Sequence, residues 1–262
     1  MSVYSLITSY SAGLLHDFSA ASGNRYQDQA KTTAANDGDP VGVWSPTGQG
    51  SLSLDMIRLS ADSRRPTYRA NYDSSGYPAL EFNGTSHGMN LSITGYPAYL
   101  ATKWMLAAVD LNASGFNTIL GQSTGIPSQF YHNGSTLAFQ AGISITAAAA
   151  SALDGRFVIG FLSKPSGSGL SVISAHNQCI GGRKTAESSG TNSGNLFIGC
   201  HINTANFWSG CIHQIMFGSG NLTVMQFRNM QEQLAADWGI SADPLVSSSG
   251  KPSSPFLSQV IG

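Results

Sequence analysis

Nine residues, GYPALEFNG (residues 76–84), restrict this chain more than any other stretch. Leu80 and Phe82 fall on one side of an extended segment and Glu81 on the other, the alternation of a strand with one buried face. The Asn-Gly pair that follows turns the chain back at once. Short strands closed by tight turns are the units of an all-β fold, and most of the remaining sequence repeats that grammar.

Strand-like material begins with LLHDF (14–18). A polar loop runs through Asp37-Gly38-Asp39-Pro40, where Asp and Gly supply turn chemistry and Pro40 fixes the exit. VGVW (41–44) is the next apolar piece, and SRRPTYRA (63–70) leads into the strand of residues 78–82. WMLAAV (104–109) is apolar on both faces, as a central strand covered on both sides must be. Residues 117–121, 130–132 and 137–141 are short strands separated by Gly, Pro and Asn-Gly signals. RFVIGFL (156–162) is a strong strand followed by a KPSGSG turn. Residues 170–173 and 178–180 form a hairpin, and a polar loop over 183–193 precedes LFIG (196–199).

One helix stands out, near the end. Thr223 with Gln226 three residues later is a capping box. Val224, Phe227, Met230, Leu234 and Trp238 then recur at helical spacing on one face, and Gly239 ends the segment. The domain organisation expected is an N-terminal arm (1–14) without sustained period, one β-sandwich (15–240) and a Ser/Pro-rich tail (241–262). The tail has too few apolar residues to make a core alone. No internal repeat is present.

Charged residues make up 10% of the chain, against roughly 25% in an ordinary soluble domain. Ser, Thr, Asn and 30 glycines stand in their place, which suits turns. A net charge of −1 without a basic patch gives no electrostatic case for nucleic acid or a membrane surface. The longest apolar run, residues 143–153, is too short to span a bilayer. The N-terminus has no positive region ahead of a long apolar stretch, so it does not read as a secretion signal. Cys179, Cys200 and Cys211 are too few and too unevenly spaced for a disulfide framework, which points to a reduced chain made in a cytoplasm. The Asn-x-Ser/Thr matches at Asn83, Asn90, Asn112, Asn133 and Asn221 are then turn residues rather than glycan acceptors.

Catalytic motifs are scarce. There is no phosphate loop or H-E-x-x-H. Cys200, His201, Cys211 and His213 are the most metal-like set, but adjacent strand residues point to opposite faces, so core cysteines with an incidental histidine are the better reading. Tyr72, Tyr77, Tyr96, Tyr99, Phe116, Tyr131, Phe207 and Trp208 offer rings that could stack on sugars or pack in a sandwich. Tyr72, Tyr77, Tyr96, Tyr131 and Trp208 are taken as the ligand-binding candidates.

The ordered series DGDPVGVW (37–44), RPTYRA (65–70), PALEFNG (78–84), FIGC (197–200) and FWSGCIHQIMF (207–217) with its helix resembles the concanavalin A-like lectin/glucanase superfamily. In particular it is similar to the laminin G-like version found in phage virion and bacterial surface proteins, over about residues 15–240. The resemblance implies a two-sheet antiparallel jelly-roll sandwich with one C-terminal amphipathic helix. It also implies sugar or partner binding on a concave face or rim loops in some members. The chain departs from the pattern at Gln214, where relatives tend to carry an acid. Rim aspartates bind calcium in some relatives, which makes Asp37 and Asp39 calcium candidates; Asx-turn capping explains them equally. Glycosidases of this fold need paired carboxylates on one strand. Here the glutamates, Glu81, Glu187 and Glu232, lie in a strand, a polar loop and a helix, and Glu81 reads as solvent-facing.

The expected function is therefore a non-enzymatic bacteriophage virion protein: a capsid decoration, head-fibre or tail-associated subunit displaying a lectin-like domain. Its expected partners are other virion proteins and further copies of itself, and its expected location is the virion. The alternative is a carbohydrate-binding adhesin that recognises host-surface glycans.

Overall fold

The structure, a computed structural model, describes residues 1–51, 54–59, 62–72, 76–91, 104–112, 116–122, 128–133, 136–141, 144–149, 155–163, 170–175, 178–183, 196–201 and 206–240. Two antiparallel sheets face each other. Among the described residues the first holds β1 (Leu14–Ser19), β5 (Thr67–Tyr72), β6 (Tyr77–Asn83), β8 (Trp104–Leu111), β13 (Gly155–Ser163), β14 (Leu170–Ala175), β15 (Gln178–Arg183) and β17 (Ser209–Gly218). Its order is β15-β14-β13-β8-β17-β6-β5, with β1 also paired to β17. The second holds β2 (Arg25–Tyr26), β3 (Val43–Trp44), β4 (Met56–Arg58), β7 (Met89–Leu91), β9 (Asn117–Gln122), β10 (Ser128–His132), β11 (Thr136–Ala141), β12 (Ser144–Ala149) and β16 (Leu196–Ile198). Its order is β12-β11-β10-β9-β16-β7-β4-β3-β2. The chain is an all-β sandwich, as the strand grammar requires.

Strand β8 shows why the sandwich closes. Met105, Ala107, Val109 and Leu111 point inward and meet Ile212, Ile215 and Phe217 of β17 and Ile119, Phe130 and Ile198 of the second sheet. The alternate residues Trp104, Leu106 and Ala108 point outward and are covered by helices. Every residue of β8 is buried, which is what an apolar strand without alternation demands. Such burial supplies most of the driving force, about 25 cal/mol per Å² of apolar surface.

The two helices, α1 (Val3–Ser9) and α2 (Val224–Asp237), lie on the outer face of the first sheet. Thr223 caps α2 reciprocally: its hydroxyl accepts from the Gln226 N–H at 3.2 Å, and its own N–H donates to Gln226 Oε1 at 2.9 Å. Phe227, Met230 and Leu234 face the sheet. Gly160 of β13 makes room for them, because a Cβ there would lie 3.0 Å from Phe227 Cζ. Gln231, absent from the apolar pattern, is also fully buried and donates to the Val158 carbonyl at 2.8 Å.

Residues 3–9, expected as part of an arm, are helical. Val3 and Ile7 are buried in the same cluster as Trp104 and Leu234, and the Val3 N–H donates to Asp237 Oδ2 at 2.9 Å. About two helical turns are too few to show a period in sequence, and tertiary packing supplies the stability. The Ser/Pro-rich tail (241–262) lies outside the described residues. Among the described residues no helix is long and apolar enough to cross a membrane.

Candidate functional site

The two outer faces of the sandwich differ. Over β8, β13 and β17 the first sheet's outer face is closed by α1 and α2. At the end of α2 the closure becomes polar. In β17 the register against β8 shifts between Ile212 and Gln214, so His213 is an extra residue. Such a bulge places two consecutive side chains on one face. Both His213 and Gln214 consequently meet Trp238: the His213 ring centroid lies 5.2 Å from that of Trp238, and the Trp238 indole N–H donates to Gln214 Oε1 at 2.7 Å. Gln214 Nε2 donates to Asp17 Oδ1 at 2.7 Å, while Asp17 Oδ2 accepts from Tyr4 Oη at 2.7 Å and Thr47 Oγ1 at 2.6 Å. Burial first, and then the Asp17 charge, push the Tyr4 hydroxyl far above its ordinary range, so it stays a donor.

Tyr72 and Tyr77 belong to this closed region. They are cross-strand partners in the β5–β6 pair. Tyr72 is buried against Ala79 and Cys211, and its hydroxyl accepts from Asn112 Nδ2. Tyr77 packs 5.9 Å from Trp238, with Arg156 over its ring at 5.1 Å. Its hydroxyl occupies the space where Gly239, at φ +57°, would otherwise carry a Cβ. Tyr77 thus packs on the helix end, and Tyr72 on the His213 ring beside it. Trp208 is 1% exposed in the interior between the sheets, so its ring face is not presented to solvent. Tyr96 lies outside the described residues.

Among the described residues neither α1 nor α2 covers the second sheet's outer face. Loop residues Cys200 and Phe207 pack there with Leu59 and Phe197, and Arg64 stands over the Phe207 ring at 5.4 Å. Beside them, at the start of β9, lies the one exposed aromatic stack of the described residues. Phe116 is 41% exposed and lies parallel to Tyr131, with ring centroids 4.4 Å apart and planes 17° apart. Thr118 is the cross-strand partner of Tyr131, on the same face. Tyr131 is nearly buried by the stack, and that burial raises its hydroxyl pKa. One face of Phe116 is thus fixed by Tyr131, while the residue as a whole stays exposed. A rigid, exposed ring is what stacks on the C–H face of a pyranose. Tyr131 is among the sequence candidates for ligand binding; the exposed member of the pair, Phe116, is one aromatic among many in the sequence, and only the fold separates it from packing residues.

The metal candidates are accounted for otherwise. Asp37 Oδ1 accepts from the Ala70 N–H at 2.8 Å, and Asp39 Oδ2 accepts from the Asn36 N–H at 2.9 Å and Gln27 Nε2 at 3.0 Å. With the Gly38 N–H on the Tyr68 carbonyl at 2.9 Å, this loop covers the free edge of β5. Cys211 Sγ lies 3.4 Å from His213 Nε2, and His213 Nδ1 faces the Pro78 carbonyl at 2.8 Å. Cys200 and His201 lie past the end of β16, on the second sheet's side. The four do not converge, and no group of three possible ligands forms among the described residues. Glu81 is half-exposed and pairs with Arg69 at 2.7 Å.

No protein-family model matches this sequence, and no curated relative does. Solved structures do match in fold. An arabinofuranosidase complexed with arabinofuranosyl-α-1,2-xylobiose superposes with a TM-score of 0.59 at 12% identity, over 90% of this chain and 65% of that one. Trypanosoma rangeli sialidase in complex with sialic acid gives 0.56 at 13% identity, over 86% of this chain and 33% of that one. A mutant of the same sialidase displaying trans-sialidase activity gives 0.57 at 12% identity, over 87% and 34%. This chain therefore spans about a third of the sialidase and just under two thirds of the arabinofuranosidase. At such identity the likeness is one of fold, a sandwich compatible with the concanavalin A-like type.

These neighbours correct one expectation. The chain was expected to be non-enzymatic, on the ground that one strand carries no paired carboxylates. Its sandwich instead recurs in glycosidases, a sialidase and an arabinofuranosidase, so the fold gives no basis for denying it a place among carbohydrate-active enzymes.

Proposed function

We propose that this chain acts through a carbohydrate-binding domain whose platform is the Phe116–Tyr131 stack on the open face of the second sheet. The observation that carries this reading is the pairing of exposure with rigidity: Phe116 is 41% exposed yet held parallel to Tyr131 at 4.4 Å. A ring already fixed in place loses little conformational entropy on meeting a ligand. The neighbours lend support, since their ligands are sugars: sialic acid for the sialidase and a substituted xylobiose for the arabinofuranosidase. They favour the adhesin-like alternative over a virion structural role. A glycan array probed with the full chain and with Phe116→Ala tests it. Binding to one glycan class that the variant loses supports the reading; equal signals for both proteins, or none for either, overturn it.

A further inference from the structure

The platform sits in an unusual stretch of sequence. Between Asp110 and Asp154 there is no Asp, Glu, Lys or Arg. That interval contains all of β9, β10, β11 and β12, which are consecutive neighbours at one end of the second sheet. An entire block of four strands is thus without formal charge at neutral pH. Its histidine, His132, is 3% exposed and pairs across from Asn117. The polar atom beside the stack is neutral as well: Thr118 Oγ1 is buried and has no hydrogen-bond partner among the described residues.

From this we infer that the platform takes an uncharged saccharide, in contrast to the anionic sugar bound by the sialidase neighbour. The inference rests on the carbohydrate-binding reading above and narrows it. Seating a carboxylate or sulfate against an apolar face removes water from a charge, which is unfavourable unless a cation or several donors replace it. Proteins that recognise carboxylates usually supply a bidentate arginine. Among the described residues, Arg64 stands over Phe207 and donates to the Ser86 carbonyl at 3.3 Å, while Arg25 and Arg58 lie on β2 and β4, toward the other end of the sheet, against the Tyr68 ring and Asp62. A neutral sugar needs none of them. Its C–H face stacks on Phe116, and its hydroxyls stay in water or reach amides and hydroxyls on the same strands. Stacking of this kind involves no ion pair, so its strength is insensitive to salt.

Isothermal titration of the full chain tests this with neutral oligosaccharides (xylotetraose, cellotetraose, mannotetraose) beside tetragalacturonate and 3′-sialyllactose, each at low and high sodium chloride. The expected result is binding of a neutral member only, with a Kd constant to about twofold across the salt range. Phe116→Ala is expected to weaken it by about tenfold, roughly the worth of one aromatic stack. Phe116 is a surface residue, so circular dichroism and Tm should match the parent. Preference for an anionic sugar, or binding that falls steeply with salt, would overturn the inference while leaving the carbohydrate reading intact. No binding to any sugar would remove both.

Discussion

The indole N–H of Trp238 donates to Gln214 Oε1 at 2.7 Å, and Gln214 Nε2 passes the chain of hydrogen bonds on to Asp17 Oδ1 at 2.7 Å. An amide is suited to this place because it has an acceptor end for the indole and a donor end for the carboxylate. A carboxylate has acceptors only. The concanavalin A-like resemblance implies an acid at this position, and the buried Asp17 explains why this chain departs from it: the negative charge sits on β1 instead, one strand away.

Gln214→Glu should therefore set two carboxylates against each other in a buried site. The expected loss is about 3 kcal/mol at pH 7, the usual size for an uncompensated buried charge. Each kcal/mol lowers Tm by about 2–4 °C in a domain of this size. Like charges raise one of the two pKa values, so the deficit should shrink as the pH falls through the ordinary carboxylate range. Thermal melts of parent and variant between neutral and mildly acidic pH measure it, and a deficit independent of pH would contradict the account.

Tyr4→Phe removes one donor from Asp17 and leaves the rest of the set in place. A hydrogen bond to a charged group contributes about 1.5–3 kcal/mol, so stability should fall by that amount in a denaturant titration. Because Tyr4 is held protonated, ultraviolet titration of the folded parent should also show one tyrosine that ionises only on unfolding. Loss of that late step in the variant checks the assignment.

Two histidines make the fold acid-sensitive. Burial pushes His213 down to about 4 from the ordinary 6.5; the Pro78 carbonyl opposes this and Arg156 adds to it. Burial alone takes His16 down to about 4. The unfolded chain then binds protons that the native chain does not. Their contribution to stability is complete above pH 6.5 and is lost as the pH falls toward 4. Each histidine contributes a slope of about 1.4 kcal/mol per pH unit within that window. His213→Gln, which can still donate to the Pro78 carbonyl, should flatten the slope by about one proton in urea titrations between pH 6.5 and 5. An unchanged slope would place the acid sensitivity elsewhere.

Cys200 and Cys211 should resist alkylation in the native protein. Both are fully buried, and burial pushes the Cys200 thiol up to about 12. Mass spectrometry after maleimide treatment should find them labelled only once guanidinium unfolds the chain. Fast native labelling at either position would mean that the sandwich opens there.

The strands, the capping box and the apolar face of α2 were legible because each follows from a local rule: alternation, a Thr–Gln spacing, a helical period. The site was less legible. Tyr72, Tyr77 and Trp208 look like exposed binding aromatics in sequence, yet the outcome for each depends on a residue far along the chain. Gly239 receives the Tyr77 hydroxyl, Asn112 binds Tyr72, and both sheets enclose Trp208. The bulge at His213 is equally invisible, since it is a register shift against β8 rather than a property of β17. Asp17 carried the one available hint, an acid within the apolar run LLHDF, which must find buried donors.

The central claim is that the open second sheet, not the helix-covered first, presents the ligand surface. Calorimetric titration of the best array glycan into three proteins tests it most directly: the parent, Phe116→Ala and Tyr77→Ala. The account predicts that Phe116→Ala keeps the parental Tm and weakens binding about tenfold. Tyr77→Ala should lower Tm by several degrees, about 2–4 °C per kcal/mol lost, and bind as the parent does below its melting range. Binding abolished by Tyr77→Ala and unchanged by Phe116→Ala would contradict the claim and move the ligand surface to the other face.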